Sequence, residues 1–226
     1  MATKIKAKLK SIDRDTLWDR AYHALKTALL AGRFAPGERI VLRTMANDLG
    51  ISLTPVRDAV NRLIAENVLD RGGVGQGGGA IVPLLTAKQF SQLMMIRSSL
   101  EPIATIAATE LANKNDVLAL TNSLEKMKQY IAQGKVDDYL DAHYQFHFGI
   151  YRLANLPIIL QMIESAWLRC GPTLMLALPD YAPGTKRQKF HIAALSALKK
   201  GDAEGAAEAI RADIESARID VCKLLN

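Results

Sequence analysis

The 226-residue chain has only two cysteines, only four histidines and no apolar run near membrane-spanning length. Each shortage excludes something. Cys170 and Cys222 form neither a disulfide framework nor a metal-type spacing, which predicts a reducing, cytoplasmic setting. A bilayer needs about 20 consecutive apolar residues in a spanning helix, so no membrane segment is expected. The N-terminus carries Lys4, Lys6, Lys8 and Lys10 but lacks the apolar core of a signal peptide. Hydrophobic residues are not scarce. At 49% of the chain they suffice for a packed core and argue against disorder. The length allows one large domain or two small ones.

What is present is unevenly placed. Of the net +6, residues 1–83 hold 13 Lys/Arg against 8 Asp/Glu, while residues 84–226 hold 16 against 15. The positive field therefore belongs to the first third, as a nucleic-acid contact requires. Within that third, Leu49 to Leu63 reads as the turn and second helix of a helix-turn-helix. Gly50 closes the preceding helix in a left-handed conformation, and Ser52 or Thr54 caps the next. Pro55 then falls in the first turn, where its missing N–H costs nothing. Val56, Val60, Leu63 and Ile64 form an apolar stripe, with Arg57, Asn61 and Arg62 pointing away from it. A helix with a buried back and a basic, amide-bearing front suits a major groove.

Around it, Asp13 to Ala31 reads as a first helix with Leu17, Ala21, Ala24, Ala28 and Leu29 on its buried stripe. Gly32 ends that helix, and Pro36-Gly37 makes a turn. A short helix over 43–49 turns Met45, Ala46 and Leu49 inward. Strands at Val68–Arg71 and Ala80–Val82 flank the glycine-rich run Gly72 to Gly79. Three helices and a hairpin make a winged helix, with the glycine run as its wing; the other reading of that run is a linker.

This pattern resembles the DNA-binding domain of GntR-family bacterial transcription regulators. The resemblance rests on Pro36-Gly37-Glu38-Arg39-Ile40, Met45-Ala46, Ser52 and Thr54 to Ala59, Arg62-Leu63, and Gly79-Ala80 with Val82. It implies that Arg43, Ser52, Thr54 and Arg57 contact DNA and that Gly79 closes the wing. Where the family commonly has an arginine contact after the cap serine, this chain has Leu53.

Past Pro83 the sequence reads as helical throughout, with helices at 86–113, 115–133, 136–154, 156–178, 184–200 and 202–225. Short connections make these an antiparallel six-helix bundle. The expected fold is thus mainly α: a winged helix-turn-helix at 12–83, a linker at 84–88 and a helical domain at 89–226.

The inward stripes of that bundle carry polar residues. Arg97 lies among Leu93, Leu100, Ala104, Ala107 and Leu111; His143 and His147 lie with Leu140, Ile150 and Ala154. His191 accompanies Ala194 or Leu195 and Leu198; Asp213 accompanies Ala206, Ile210, Ala217 and Val221. A buried ion without a partner costs several kcal/mol, on the order of the stability of a whole domain. One shared polar cavity explains all four stripes together. His143 and His147 at i, i+4 stack on one helix face, where two imidazoles can meet one metal ion. With His191 and Asp213 the set suits a divalent ion, zinc or nickel best. The alternative is that each histidine is simply hydrogen-bonded in the core.

This half is similar to the FCD effector domain of the FadR-type GntR subfamily, through Arg97 with Leu100-Glu101, Phe146-His147, Asn155, and His191 followed by Gly201-Asp202. Members of that family hold a metal with Asp-x-x-x-His on one helix and two histidines 22 apart. Here His143 stands at the Asp position, and Asp213, 22 beyond His191, at the last His position. Asp and His have exchanged helices and the ligand set is unchanged. Six helices fit the smaller variant of this domain. Arg97 either clamps the carboxylate of a small organic acid or pairs with an internal acid such as Glu101. The expected function is a homodimeric regulator, a repressor by resemblance, that binds palindromic operator DNA under control of a small carboxylate effector. The alternatives are a metal-dependent hydrolase and a regulator that senses the metal alone.

Overall fold

In the computed structural model, residues 17–72, 79–174, 176 and 188–226 are described. The first unit comprises α1 (Leu17–Leu30), β1 (Arg39–Val41), α2 (Leu42–Leu49), α3 (Leu53–Ala65), β2 (Asp70–Arg71) and β3 (Gly79–Ile81). The second comprises α4 (Ala87–Leu111), α5 (Lys114–Ala132), α6 (Val136–Leu153), α7 (Pro157–Leu174), α8 (Gln188–Lys200) and α9 (Ala203–Leu224). This is the expected winged helix followed by six helices. The expected start of the first helix (13–16), the wing tip (73–78) and most of the α7–α8 connection (177–187) lie outside the described residues.

The sheet holds a strand that the sequence reading passed over. β3 lies between β1 and β2 and is antiparallel to both. Arg39-Ile40-Val41 is only three residues long, too short for alternation to stand out, yet Ile40 is buried between two exposed neighbours. Gly79 faces Val41 in the register, and a Cβ on it would sit 2.5 Å from the Ile40 carbonyl oxygen. Glycine is required there by close packing of strands as well as by any role in the wing.

In the helix-turn-helix, Gly50 has φ 64° and its N–H bonds back into α2, ending that helix as expected. Ser52 holds the cap position of α3, but neither it nor Thr54 is spent on it: Ser52 makes no side-chain cap bond, and Thr54 lies inside the helix. Val56, Ala59, Val60 and Leu63 are buried. The stripe of α1 is rotated from the expected one. Ala21, Tyr22, Leu25, Leu29 and Leu30 are buried, while Leu17 is exposed. Leu49 of α2 is likewise exposed.

The bundle begins at a capping box, with the Thr86 hydroxyl accepting from the Gln89 N–H and the Gln89 side chain accepting from the Thr86 N–H. Asn113 and Asp116 start α5 in the same way. On α4 the core side takes in Phe90, Met94, Glu101, Thr105 and Ala108 as well as Leu93, Arg97 and Ala104; Leu111 is exposed. The stripes on α8 and α9 are buried as the spacing predicts.

The two units touch along α1 and α7. Lys26 pairs with Glu164 at 2.6 Å, Arg33 pairs with Asp141 of α6, and Gly171 lies against the last turn of α1.

Candidate metal centre and the DNA-facing helix

α6 supplies His143 and His147, α8 supplies His191 and α9 supplies Asp213. Their ligand atoms all lie within 4.8 Å of one another. His147 Nε2 is 3.0 Å from His191 Nε2 and 3.7 Å from Asp213 Oδ2, and His191 Nε2 is 3.6 Å from Asp213 Oδ2. Imidazole and carboxylate ligands held tetrahedrally on one zinc ion lie about 3.3–3.5 Å apart. The ligand atoms of His147, His191 and Asp213 are therefore already near the spacing a shared ion requires. His147, His191 and Asp213 are buried, and His143 is half-buried at the cavity edge.

The protonation pattern also fits. The Tyr151 hydroxyl donates its only proton to Glu101 Oε2, so toward His147 it accepts, from Nδ1–H at 3.0 Å. That leaves His147 Nε2 as a bare lone pair aimed at His191 and Asp213. Burial, then the neighbouring His143, His191 and Arg97, hold His147 well below the ordinary histidine value of 6.5. A neutral imidazole presenting its lone pair to a carboxylate is an unfavourable pairing by itself and a suitable one around a cation.

Glu101 was not among the expected site residues, and it organises the chamber. Completely buried, it accepts from Arg97 Nε at 2.6 Å, from Trp167 Nε1 at 2.7 Å and from Tyr151. Arg97 stacks on the Trp167 ring at 4.1 Å. Burial opposes its charge, but the Glu101 carboxylate, followed by Cys170, more than offsets that and keeps the guanidinium charged. Of the two readings of Arg97, the pair with Glu101 is present. Among the described residues, however, Nη1 meets only the sulfurs of Met94 and Cys170, each at 3.6 Å, which are weak acceptors. Arg97 also lines a cavity of about 50 Å³ with His143, Asp213 and Trp167.

On the helix-turn-helix, Arg43, Ser52, Thr54 and Arg57 are all exposed, the first on α2 and the others at the start of α3. Gly79 lies in the sheet, half-buried. Leu53 packs inward against the core, which accounts physically for an apolar residue at that position. Arg62 does not present a free charge. It pairs with Glu66 at 2.8 Å and lies over the rings of Tyr22, at 3.9 Å, and Trp18, at 5.3 Å.

A winged helix joined to a helical domain with an internal His/His/His/Asp cluster defines the architecture of a two-domain DNA-binding regulator. Comparison with known proteins agrees. The FCD domain description matches residues 92–216, and that of the bacterial regulatory proteins of the gntR family matches residues 17–82. The HTH-type transcriptional regulator McbR of Escherichia coli (strain K12) is 34% identical over 184 residues, 80% of this chain and 81% of that protein. A solved structure titled E. coli McbR/YncC has a TM-score of 0.86 at 29% identity, covering 94% of this chain and all of that one (100%). A probable D-xylose utilization operon transcriptional repressor of Paenarthrobacter nicotinovorans is 28% identical over 202 residues, 89% of this chain and 87% of that one. The chain belongs to the GntR family of bacterial regulators, with an FCD domain as its second half. It is a DNA-binding transcription regulator and not an enzyme. Among the described residues no helix is long and apolar enough to cross a membrane.

Proposed function

We propose that this regulator is a homodimeric repressor whose operator affinity is set by a small carboxylate bound beside a divalent ion in the helical domain. The observation that carries the reading is the convergence of three imidazoles and one carboxylate, two of them lining the same cavity as Arg97. Residues 12–83 form the DNA-reading domain, 84–88 the linker and 89–226 the sensor.

His143, His147, His191 and Asp213 would hold the ion, zinc or nickel by ligand type. When bound, the ion supplies a Lewis-acid partner for ligand oxygens. Glu101 holds one edge of Arg97 and leaves Nη1 to the ligand carboxylate, a charge-assisted contact stronger than the sulfur contacts it replaces. Leu140, Leu174, Ile214 and Ala217 give the cavity its apolar lining. Arg43, Ser52, Thr54 and Arg57 meet the operator, and Gly79 lets the wing close.

The exposed apolar residues Met95, Ile96 and Ile103 of α4 and Ile158 and Met162 of α7, two helices that pack together, support an α4/α7 dimer face. A symmetric dimer fits a palindromic operator.

The size of the cavity favours a second reading, in which the regulator senses the ion alone. About 50 Å³ is small beside the roughly 150 Å³ of a cavity that admits benzene. One experiment separates the two. An operator duplex is selected from a random pool, and zinc-loaded protein is titrated with mono-, di- and tricarboxylates by calorimetry and anisotropy. The acid reading predicts that one acid binds zinc-loaded protein, that stripping the metal weakens it at least tenfold, and that it weakens operator binding. An operator response to zinc with no acid bound establishes the metal-only reading instead.

A further inference from the structure

The walls of the cavity beside Arg97 do not all come from the helical domain. Leu30, Ala31 and Gly32, the end of α1 and the turn that closes it, line it as well. All three are buried, so this end of the DNA-reading domain is inserted against the sensor. Its backbone is closed as a Schellman turn: Gly32 has φ 66°, its N–H bonds to the Leu29 carbonyl, and the Arg33 N–H bonds to the Ala28 carbonyl. That leaves the Leu30 and Ala31 carbonyls among those the turn does not pair. The approach to α7 is close. A Cβ on Gly171 would lie 3.1 Å from the Leu29 carbonyl oxygen and 3.8 Å from that of Leu30, and Gly171 itself lines the cavity.

We propose that the last turn of α1 is part of the effector site, so that the DNA-reading domain touches the bound acid directly. This rests on the acid-binding reading above and deepens it. The cavity has room for one or two waters, far less than an acid of six heavy atoms needs. Something must yield when the acid enters. The bundle walls are held by helices packed along their length and by the Glu101 network. The α1 wall is held at its edges by the Lys26–Glu164 and Arg33–Asp141 pairs, one part-buried and the other exposed. The acid therefore acts as a wedge, lifting α1 from α7 and turning the recognition helix with it. The helix end also selects the ligand. Its unpaired carbonyls and the negative end of the helix dipole favour a hydroxyl donor there over a second carboxylate. A hydroxy monocarboxylate fits, with its carboxylate at Arg97 and the metal site and its hydroxyl at Leu30 or Ala31.

The test enlarges Gly171, which is not a metal ligand, in the full chain. Zinc-loaded Gly171→Ala and Gly171→Val are titrated against the wild-type-selected duplex with no acid present. Valine is expected to weaken operator binding at least tenfold, with alanine intermediate and zinc content unchanged in both. Alanine is the better helix former, so a loss in that variant does not come from α7 itself. If both variants bind DNA as wild type does while holding zinc, the contact is overturned. Should valine lose zinc, the alanine variant decides in the same way. Ala31→Leu, which fills the chamber from the α1 side, is expected to weaken binding of lactate, a hydroxy monocarboxylate of six heavy atoms used as the probe, at least tenfold at full zinc content. Equal lactate affinity in wild type and Ala31→Leu overturns the contact alone. Absence of binding by any carboxylate to wild type overturns the acid reading and the contact with it.

Discussion

The hydroxyl of Tyr151 lies between a carboxylate and an imidazole, and its one proton goes to Glu101. His147 is thereby fixed as the Nδ1–H tautomer, with Nε2 directed at His191 and Asp213. Partners of this kind orient a metal ligand, and their loss typically costs about 10–100-fold in metal affinity. Tyr151→Phe is accordingly expected to bind zinc about tenfold or more weakly, by competition with a chromophoric chelator, with helicity unchanged. Unaltered zinc affinity would show that the hydroxyl has no part in setting the site. His143, His147, His191 and Asp213 were legible in the sequence because a polar residue on an apolar 3–4 stripe stands out. Glu101 was legible only as the alternative partner of Arg97, one turn away; its bonds to Trp167 and Tyr151 were not, because the stripe drawn on α4 ran through Leu100 beside it. Tyr151 and Trp167 were hidden by their apolar bodies, which read as ordinary core.

The elements around the site followed from caps and spacing, and the exceptions are short or special. β1 escaped notice at three residues, yet it determines what position 79 must be. Gly79→Ala places a methyl 2.5 Å from the Ile40 carbonyl and must part β1 from β3. We expect the winged helix to lose more than about 1 kcal/mol of stability and operator affinity to fall, while zinc content stays at wild type. A variant with wild-type operator affinity would mean that the sheet relaxes around the methyl at no cost to DNA binding. The apolar face of α4 calls for its own check. Ile103 is 47% exposed on the same side as Met95 and Ile96. Ile103→Glu places a charge in the proposed α4/α7 dimer face and should shift the protein to monomer in sedimentation. A persistent dimer would move the interface elsewhere. The rotated stripe of α1 has a tertiary cause: Tyr22 and Leu25 face inward because α1 packs on both α3 and α7, and Tyr22 also donates to Glu66 at 2.7 Å.

At the scale of the molecule, charge and chemistry are divided between the halves: a basic winged helix, and a nearly neutral helical domain that buries Arg97, Glu101, Asp213 and Asp220. The burial of His147 makes metal-free protein sensitive to acid. Burial and then His143, His191 and Arg97 keep His147 unprotonated in the fold, whereas the unfolded chain takes up that proton near 6.5. The unfolded state thus binds more protons below that value, and stability falls as pH drops from about 6.5 toward the lower folded value. Thermal melts of chelator-treated protein should show a midpoint falling from about pH 7 to 5.5, and excess zinc at pH 7 should raise it by mass action. A midpoint flat or rising toward acid would contradict a neutral buried His147. The two-domain order was readable from charge asymmetry and the glycine wing. The seating of α1 over the sensor cavity was not, because no local pattern records which surfaces meet across a domain boundary.

In the proposed function, a ligand at the four-residue cluster controls DNA binding by the other half. That control is tested most directly by operator affinity as a function of lactate, measured on zinc-loaded wild type and on Asp213→Asn. Allosteric coupling of about 1–3 kcal/mol predicts that the acid weakens wild-type operator binding by about 5–150-fold. Asp213→Asn, with a ligand charge removed, should bind the operator but ignore the acid. An equal response in both proteins, or none in wild type to any acid tried, would contradict the account.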